Sequence, residues 1–284
     1  MWNGTYQLDM NVTQTYMFGN ALDLPECQEP MIDYIKMLSK AGEKAAKGYY
    51  GTGGWVSYVI SDLWGGAGTL PQAPFVSNVW LSLIAWEQYA FEQNRSYLEE
   101  IYPVLKGAAQ FYLENLIEYK NTKKLVFWGT YSAEHSSSAI GVTTPNFQDI
   151  GFIRETFENT IRASELLNLD AAFRSRLKDA KSRLMPFKVG RLGQFQEWVE
   201  DIDDPNCQHR HLSHLLGLSP CKQINPRLNP ELICAAKITL THRRDNDFVA
   251  LHRPDLGNSI LYRTTCQHEA MPWDNFPSQA WSRW

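Results

Sequence analysis

The chain has 284 residues, 44% of them apolar and 20% charged, an ordinary globular composition with length enough for a sizeable core. Its formal net charge of −4, with no stripe of Lys and Arg, offers no electrostatic footprint for nucleic acid. No apolar run is long enough to cross a bilayer, and the opening "MWNGTYQLDMN" lacks the basic-then-apolar pattern of a signal peptide, so neither nucleic acid nor membrane is expected as a partner.

In chain order, "YQLDMN" reads as a short extended segment, on which Asp9 and Asn11 would point to the same face. "EPMIDYIKMLSKAGEKAAK" reads as a helix, and the long loop "YYGTGGWVSYVISDLWGGAGTLPQAP" follows it. "VSNVWLSLIAWEQYAFEQN" is the next helix. In "SYLEEIYPVLKGAAQFYLENLIEY", Leu98, Ile101, Leu105, Ala108, Ala109, Tyr112 and Leu116 recur at helical steps. Pro103 inside that window predicts a helix start or a kink. "KLVFW" reads as a strand and "GTYSAEHSSSAIGVTTPNFQD" as a second long loop. "GFIRETFENTIRASELLNLD" repeats the helical period with Ile153, Phe157, Ile161, Ser164 and Leu167, and "DAAFRSRLKDAKSRL" continues it. "RLGQFQEW" is a candidate strand, "QEWVEDIDDPNCQHRHLSHLL" a third long loop, and "NPELICAAKITLTHR" a final helix. The expected class is all-α, with helices in antiparallel pairs and a few short strands in the loops.

The three loops hold Trp, Tyr, His and acidic residues among Gly, Ser and Pro. Long loops of that kind in a compact domain are usually functional. Ten Trp and 13% aromatics supply flat surfaces on which sugar rings stack, although large cores also use them. His209, His211 and His214 crowd together in "HRHLSHL", with His211 and His214 three apart as on a helical face. The four-residue spacing and intervening Glu of H-E-x-x-H are absent, so the cluster reads as hydrogen-bonding and no metal is expected. The five Cys are scattered without a C-x-x-C pair, which offers neither a zinc knuckle nor a disulfide framework. A G-x-S-x-G elbow and a P-loop are also missing, and no cofactor is expected. Paired carboxylates remain. Glu134, alone in a neutral and partly aromatic loop, is a candidate proton donor if burial raises its pKa, and a solvated loop acid otherwise.

The stretches "GTYQLDMNVTQTY", "GWVSYVISDLW", "YSAEH", "GQFQEWVEDIDDP", "HRHLSHLLGLSP" and "NPELICAAKITLTHR", in that order, resemble family 95 of the glycoside hydrolases. The resemblance covers residues 2 to 244, and its most specific part is "QEW-x-x-D-x-DDP" with "HRH-x-SHL-x-GL-x-P". The family comprises inverting α-L-fucosidases and some α-L-galactosidases, so an oligosaccharide or glycan substrate is implied. It also implies an (α/α)6 barrel, a toroid of helical hairpins. The family's acid in "S-P-E-N" corresponds to Glu134 in "SAEH", and its water-holding "N-I-N" asparagines correspond to Asp9 and Asn11. Gln7 stands where the family has a sugar-contacting histidine, and His209 and His211 match histidines that line the sugar pocket. Ser57 and Tyr58 replace a histidine pair. "PFVSNVWL" keeps Trp80 of a tryptophan- and glycine-rich motif.

Residues 1–284 are thus expected to form one catalytic domain with a divergent insertion over 245–276. The barrel is expected to be incomplete at its C-terminal end, where the family carries an aspartate that polarises an asparagine, and the family's N-terminal β-sandwich is expected to be missing. The family suggests an extracellular or periplasmic location. The alternatives are a carbohydrate-binding relative without activity and an α-L-galactosidase-type specificity.

Overall fold

The computed structural model describes residues 5–16, 18–67, 77–128, 132, 135, 144–207, 209 and 211–243, most of them helical. The chain divides into two compact units. One is built from the chain as far as Met185; the other runs from Pro186 onward and also takes in 132–135 and 146–148.

In the first unit, β1 (Tyr6–Gln7) pairs antiparallel with β2 (Ile60–Ser61). The extended reading of "YQLDMN" ends there, because α1 (Met10–Tyr16) has already begun one residue after Asp9. The Asp9 Oδ1 atom accepts the Asn11 backbone N–H at 3.0 Å and its carbonyl accepts that of Thr13. That is the side-chain capping by which an aspartate starts a helix, and it overrides the alternation. A single turn, α2 (Phe18–Ala21), follows.

α3 (Glu29–Ala45) starts with Pro30 in its first turn, where the missing N–H is no loss, and carries Lys44 in its last. It buries Met31, Ile32, Ile35, Leu38 and Ala45 along one face, and the chain beyond it stops at Gly51 in the left-handed region.

α4 (Ser77–Glu92) and α5 (Arg95–Asn115) are joined by two residues, and Asn94 caps α5 by accepting the Tyr97 N–H at 3.2 Å. Tyr97 reaches Ala85 and Tyr112 reaches Asn78, so the pair runs antiparallel. α5 continues through Pro103, which therefore does not open a new helix. α6 (Phe147–Leu167) runs antiparallel to α5, with Arg95 on the Leu166 carbonyl and Thr160 on that of Leu105. α7 (Ala171–Arg183) turns back along α6 through the Lys178–Glu165 and Lys181–Glu158 ion pairs. These are the antiparallel pairs expected from the helical period. Leu8, Ile35, Leu81, Leu98, Ile101, Leu105 and Ala163 share the core they enclose.

Trp55 is the pin of this unit. It is 1% exposed, its ring N–H donates to the Val104 carbonyl at 2.9 Å, and its backbone N–H donates to Gly107. Gly54 precedes it at φ +74, where a Cβ would lie 2.1 Å from the Gly107 oxygen. Only glycine fits so close to α5 in that conformation. "KLVFW" supplies β4 (Leu125–Val126), paired antiparallel with β3 (Ile117–Glu118).

In the second unit, "RLGQFQEW" forms isolated bridges rather than a strand, between Val189 and Phe195 and between Asn146 and Trp198. The Phe195 N–H goes to the Ala235 carbonyl of α8 (Pro230–His242), so a helix competes for the backbone bonds a strand partner would take. Phe147, Phe187 and Phe195 form the aromatic centre. His211 and His214 do not share a helical face. A short 3-10 turn covers Ser213–Gly217, and His211 precedes it. Among the described cysteines, Cys234 is disulfide-bonded, while Cys27, Cys207 and Cys221 are not in disulfides. No helix among the described residues is long and apolar enough to cross a membrane.

Candidate functional site

A tight turn at 190–194 sends the chain inward. The Gly193 N–H donates to the Gly190 carbonyl, and Gly193 adopts φ +78. Phe195 then packs against α8, and Glu197 follows within a run, 194–199, that is buried throughout. Glu197 is 1% exposed. Its backbone N–H faces the Asp203 carboxylate at 3.3 and 3.4 Å, and its carbonyl accepts the Phe147 N–H at 2.9 Å.

The Glu197 Oε2 atom gathers three side chains. His135 Nδ1 lies at 2.9 Å, an Arg243 guanidinium nitrogen at 3.0 Å, and His214 Nδ1 at 3.8 Å. Arg243 arrives directly after α8 and also donates to the carbonyls of His209, at 3.1 Å, and His211, at 3.0 Å. The His211 N–H donates to His209 Nδ1 at 3.2 Å. His135 stacks face to face on His209, with centroids 4.4 Å apart and planes 8° apart, and sits edge-on to Trp198. Its other nitrogen, Nε2, lies 3.7 Å from Cys207 Sγ.

The electrostatics follow from burial and pairing. Burial opposes ionisation of Glu197, but His214, His135 and Arg243 reverse this and bring its pKa down to about 2. Burial also opposes the charge on His135. Its bonds to Cys207 and Glu197 prevail and raise it to about 9, so the ring is an imidazolium at neutral pH. His214, fully enclosed, is lowered to about 4 chiefly by burial and stays neutral. The cations facing Glu197 at pH 7 are therefore His135 and Arg243. Asp203 is raised to about 6, again chiefly by burial, although Gln194 Nε2 donates to it at 2.7 Å.

Of the residues singled out in the sequence, His209 and His211 lie in this cluster. Glu134 falls outside the described residues, although His135 after it is described. The others belong to the first unit. Asn11 is exposed on α1, and Gln7 is half-buried with its amide on Thr5. Tyr58 is 3% exposed and meets Tyr49 edge-on, while Trp80 packs on Phe152. Sequence reading missed Glu197, Arg243 and His135 as a set. They are 62 and 46 positions apart, so no local spacing could reveal the contact. The density of ionisable residues over 197–214 was the available signal. Among the described residues no group of His, Cys, Asp and Glu side chains is arranged to hold a metal.

Comparison with known proteins places these features in context. The family model "Glycosyl hydrolase family 95 catalytic domain" matches residues 1–252. Alpha-L-fucosidase 2 of Arabidopsis thaliana is 34% identical over 256 residues, covering 85% of this chain and 30% of that protein. Probable alpha-fucosidase A of Aspergillus niger is 31% identical over 232 residues, covering 77% of this chain and 29% of that protein. The chain thus spans about 30% of the length of these curated relatives. Among solved structures, a putative kojibiose phosphorylase from human microbiome aligns with a TM-score of 0.48 and 13% identity, over 60% of this chain and 24% of that one.

Proposed function

Since the chain belongs to the family of glycosyl hydrolase family 95 catalytic domains, we propose that it works as an inverting exo-glycoside hydrolase, releasing a terminal α-L-fucose-type sugar from glycans. Glu134 is the general acid: its carboxyl proton passes to the glycosidic oxygen as the bond from that oxygen to the anomeric carbon breaks. Water attacks the anomeric carbon from the opposite face, positioned by Asn11, and Asp9 takes the proton it loses. His209 and His211 donate hydrogen bonds to the sugar hydroxyls, and Gln7, Tyr58 and Trp80 shape the sugar subsite.

The observation that carries this reading is the convergence of His135, the residue after Glu134, with His209 and His211 around one buried carboxylate. A polar floor of imidazoles held by a buried ion pair suits recognition of a polyhydroxylated ring. The test is to follow hydrolysis of an aryl α-L-fucoside by proton NMR, with the α-L-galactoside alongside. Inversion gives the β-anomer as the first product. Initial release of the α-anomer would contradict the mechanism.

One observation favours a second reading, that of a carbohydrate-binding relative without activity. The Asp9 carboxylate accepts the Asn11 N–H as a helix cap, an engagement that competes with taking a proton from water. Saturable binding of L-fucose with no release from any aryl glycoside identifies that case.

A further inference from the structure

We propose that Glu197 is a positioning residue of the reaction, holding His135, which follows the acid in sequence, and, through Arg243, His209 and His211 in one fixed arrangement. This rests on the hydrolase reading above.

The geometry gives one carboxylate three chain segments to hold. Oε2 alone meets His135, Arg243 and His214, each from a different part of the sequence. Arg243 passes the restraint on, because its other terminal nitrogen donates to the carbonyls of both His209 and His211. His135 meets the same segment from the other side through its stack on His209. A change at Glu197 therefore reaches the acid-bearing segment and the sugar-contacting histidines together.

Stability alone does not account for a charge at this place. Buried ion pairs are often replaceable by apolar groups of similar volume without loss. Here Glu197 Oε1 is also buried with no hydrogen-bond partner among the described residues, which weakens the arrangement as a stabiliser. What the carboxylate does supply is a fixed ring state. With Nδ1–H on Glu197 and Nε2 facing Cys207 Sγ, His135 keeps both protons across the neutral range. The groups facing it among the described residues are Glu197, Cys207 and His209, with Arg243, His214 and Asp203 reaching Glu197 behind it. A cation one residue from Glu134 is thereby held constant while the acid titrates.

The experiment combines histidine NMR with pH profiles on the full chain. In the parent, the His135 ring, one of seven histidines, should titrate near 9. A parent value near the ordinary ~6.5 would overturn the proposal, whatever the chain's activity. In Glu197→Gln the His135 pKa should fall toward ~6.5, and kcat/KM on the aryl fucoside should acquire a new limb there. Activity at pH 7.5 should drop at least about 10-fold and largely recover at pH 5.5, where His135 is again protonated. A merely structural loss would lower activity in parallel at all pH values, and that outcome refutes a positioning role. Should Glu197→Gln fail to fold, His135→Ala removes the partly buried ring itself, and parent-like activity in that variant would refute it equally. If the parent binds sugar but releases none, the hydrolase reading fails by itself; the affinity of Glu197→Gln for L-fucose then decides, and an unchanged affinity overturns the positioning role.

Discussion

Replacing Arg243 with Met isolates the energetics of the buried cluster. The side chains of Arg243 and Glu197 are 7% and 1% exposed, so the ion pair has little solvent to fall back on. Removing one partner of such a pair leaves an uncompensated buried charge and typically costs about 3–5 kcal/mol. The pH linkage gives an independent scale. Glu197 sits at about 2 against an ordinary 4.5, which corresponds to about 3 kcal/mol favouring the ionised form in the fold, a figure for His214, His135 and Arg243 together and so an upper bound for Arg243 by this route. Because the folded value is depressed, that stability is present above pH 4.5 and lost as pH falls toward 2. Both routes describe the same interactions and do not add. In Arg243→Met, His135 still faces the carboxylate, while the His209 and His211 carbonyls lose their donor. We expect a loss of about 3–4 kcal/mol at pH 7, read from urea unfolding by near-ultraviolet circular dichroism of the aromatic cluster. The loss should shrink at acid pH, since burial then raises the Glu197 pKa and the variant buries a neutral acid. A deficit below about 1 kcal/mol, or one independent of pH, would refute the reasoning.

Four further outcomes test the other assignments. Glu134→Gln should lower turnover of a natural glycan by about 10²–10⁴-fold and that of an aryl glycoside with a good leaving group far less, compared by steady-state kinetics. Asp9→Asn keeps a competent helix cap, so thermal stability should be unchanged; if Asp9 is the base, activity falls, and equal or higher turnover removes it from that role. His211→Ala should weaken L-fucose binding by about 1–3 kcal/mol in calorimetry with no change in metal content, and loss of stoichiometric zinc would overturn the hydrogen-bonding reading. Gly54→Ala, at φ +74 and 2.1 Å from the Gly107 oxygen, should destabilise the first unit by more than about 2 kcal/mol, measured as a lowered melting temperature.

Much of the helical architecture is legible in local pattern. The windows around Ile35, Leu105 and Ile161 carry a 3.6-residue period because one face of each helix must be buried, and each is a helix in the structure. Errors arose where a polar side chain or a distant element decided the local form. The Asp9 carboxylate starts α1 where alternation suggested a strand, and α8 takes the Phe195 backbone bond that a strand partner would have used.

Family membership and the crowding of acids and imidazoles over 197–214 are properties of residue order, and the chain alone carries them. That His209 and His211 lie together also follows from their adjacency. Which carboxylate holds them does not. Glu197 is one of several acids in its stretch, and only the fold buries it, brings His135 from 62 positions away and Arg243 from 46, and leaves Asp201 and Asp204 outside. The physical reason is desolvation. In an unfolded chain all these groups titrate near their ordinary values and attract one another weakly through water. Removal of that water strengthens each pairing and makes each unpaired charge expensive, so packing alone makes His135 an imidazolium at neutral pH and holds the enclosed His214 further from protonation.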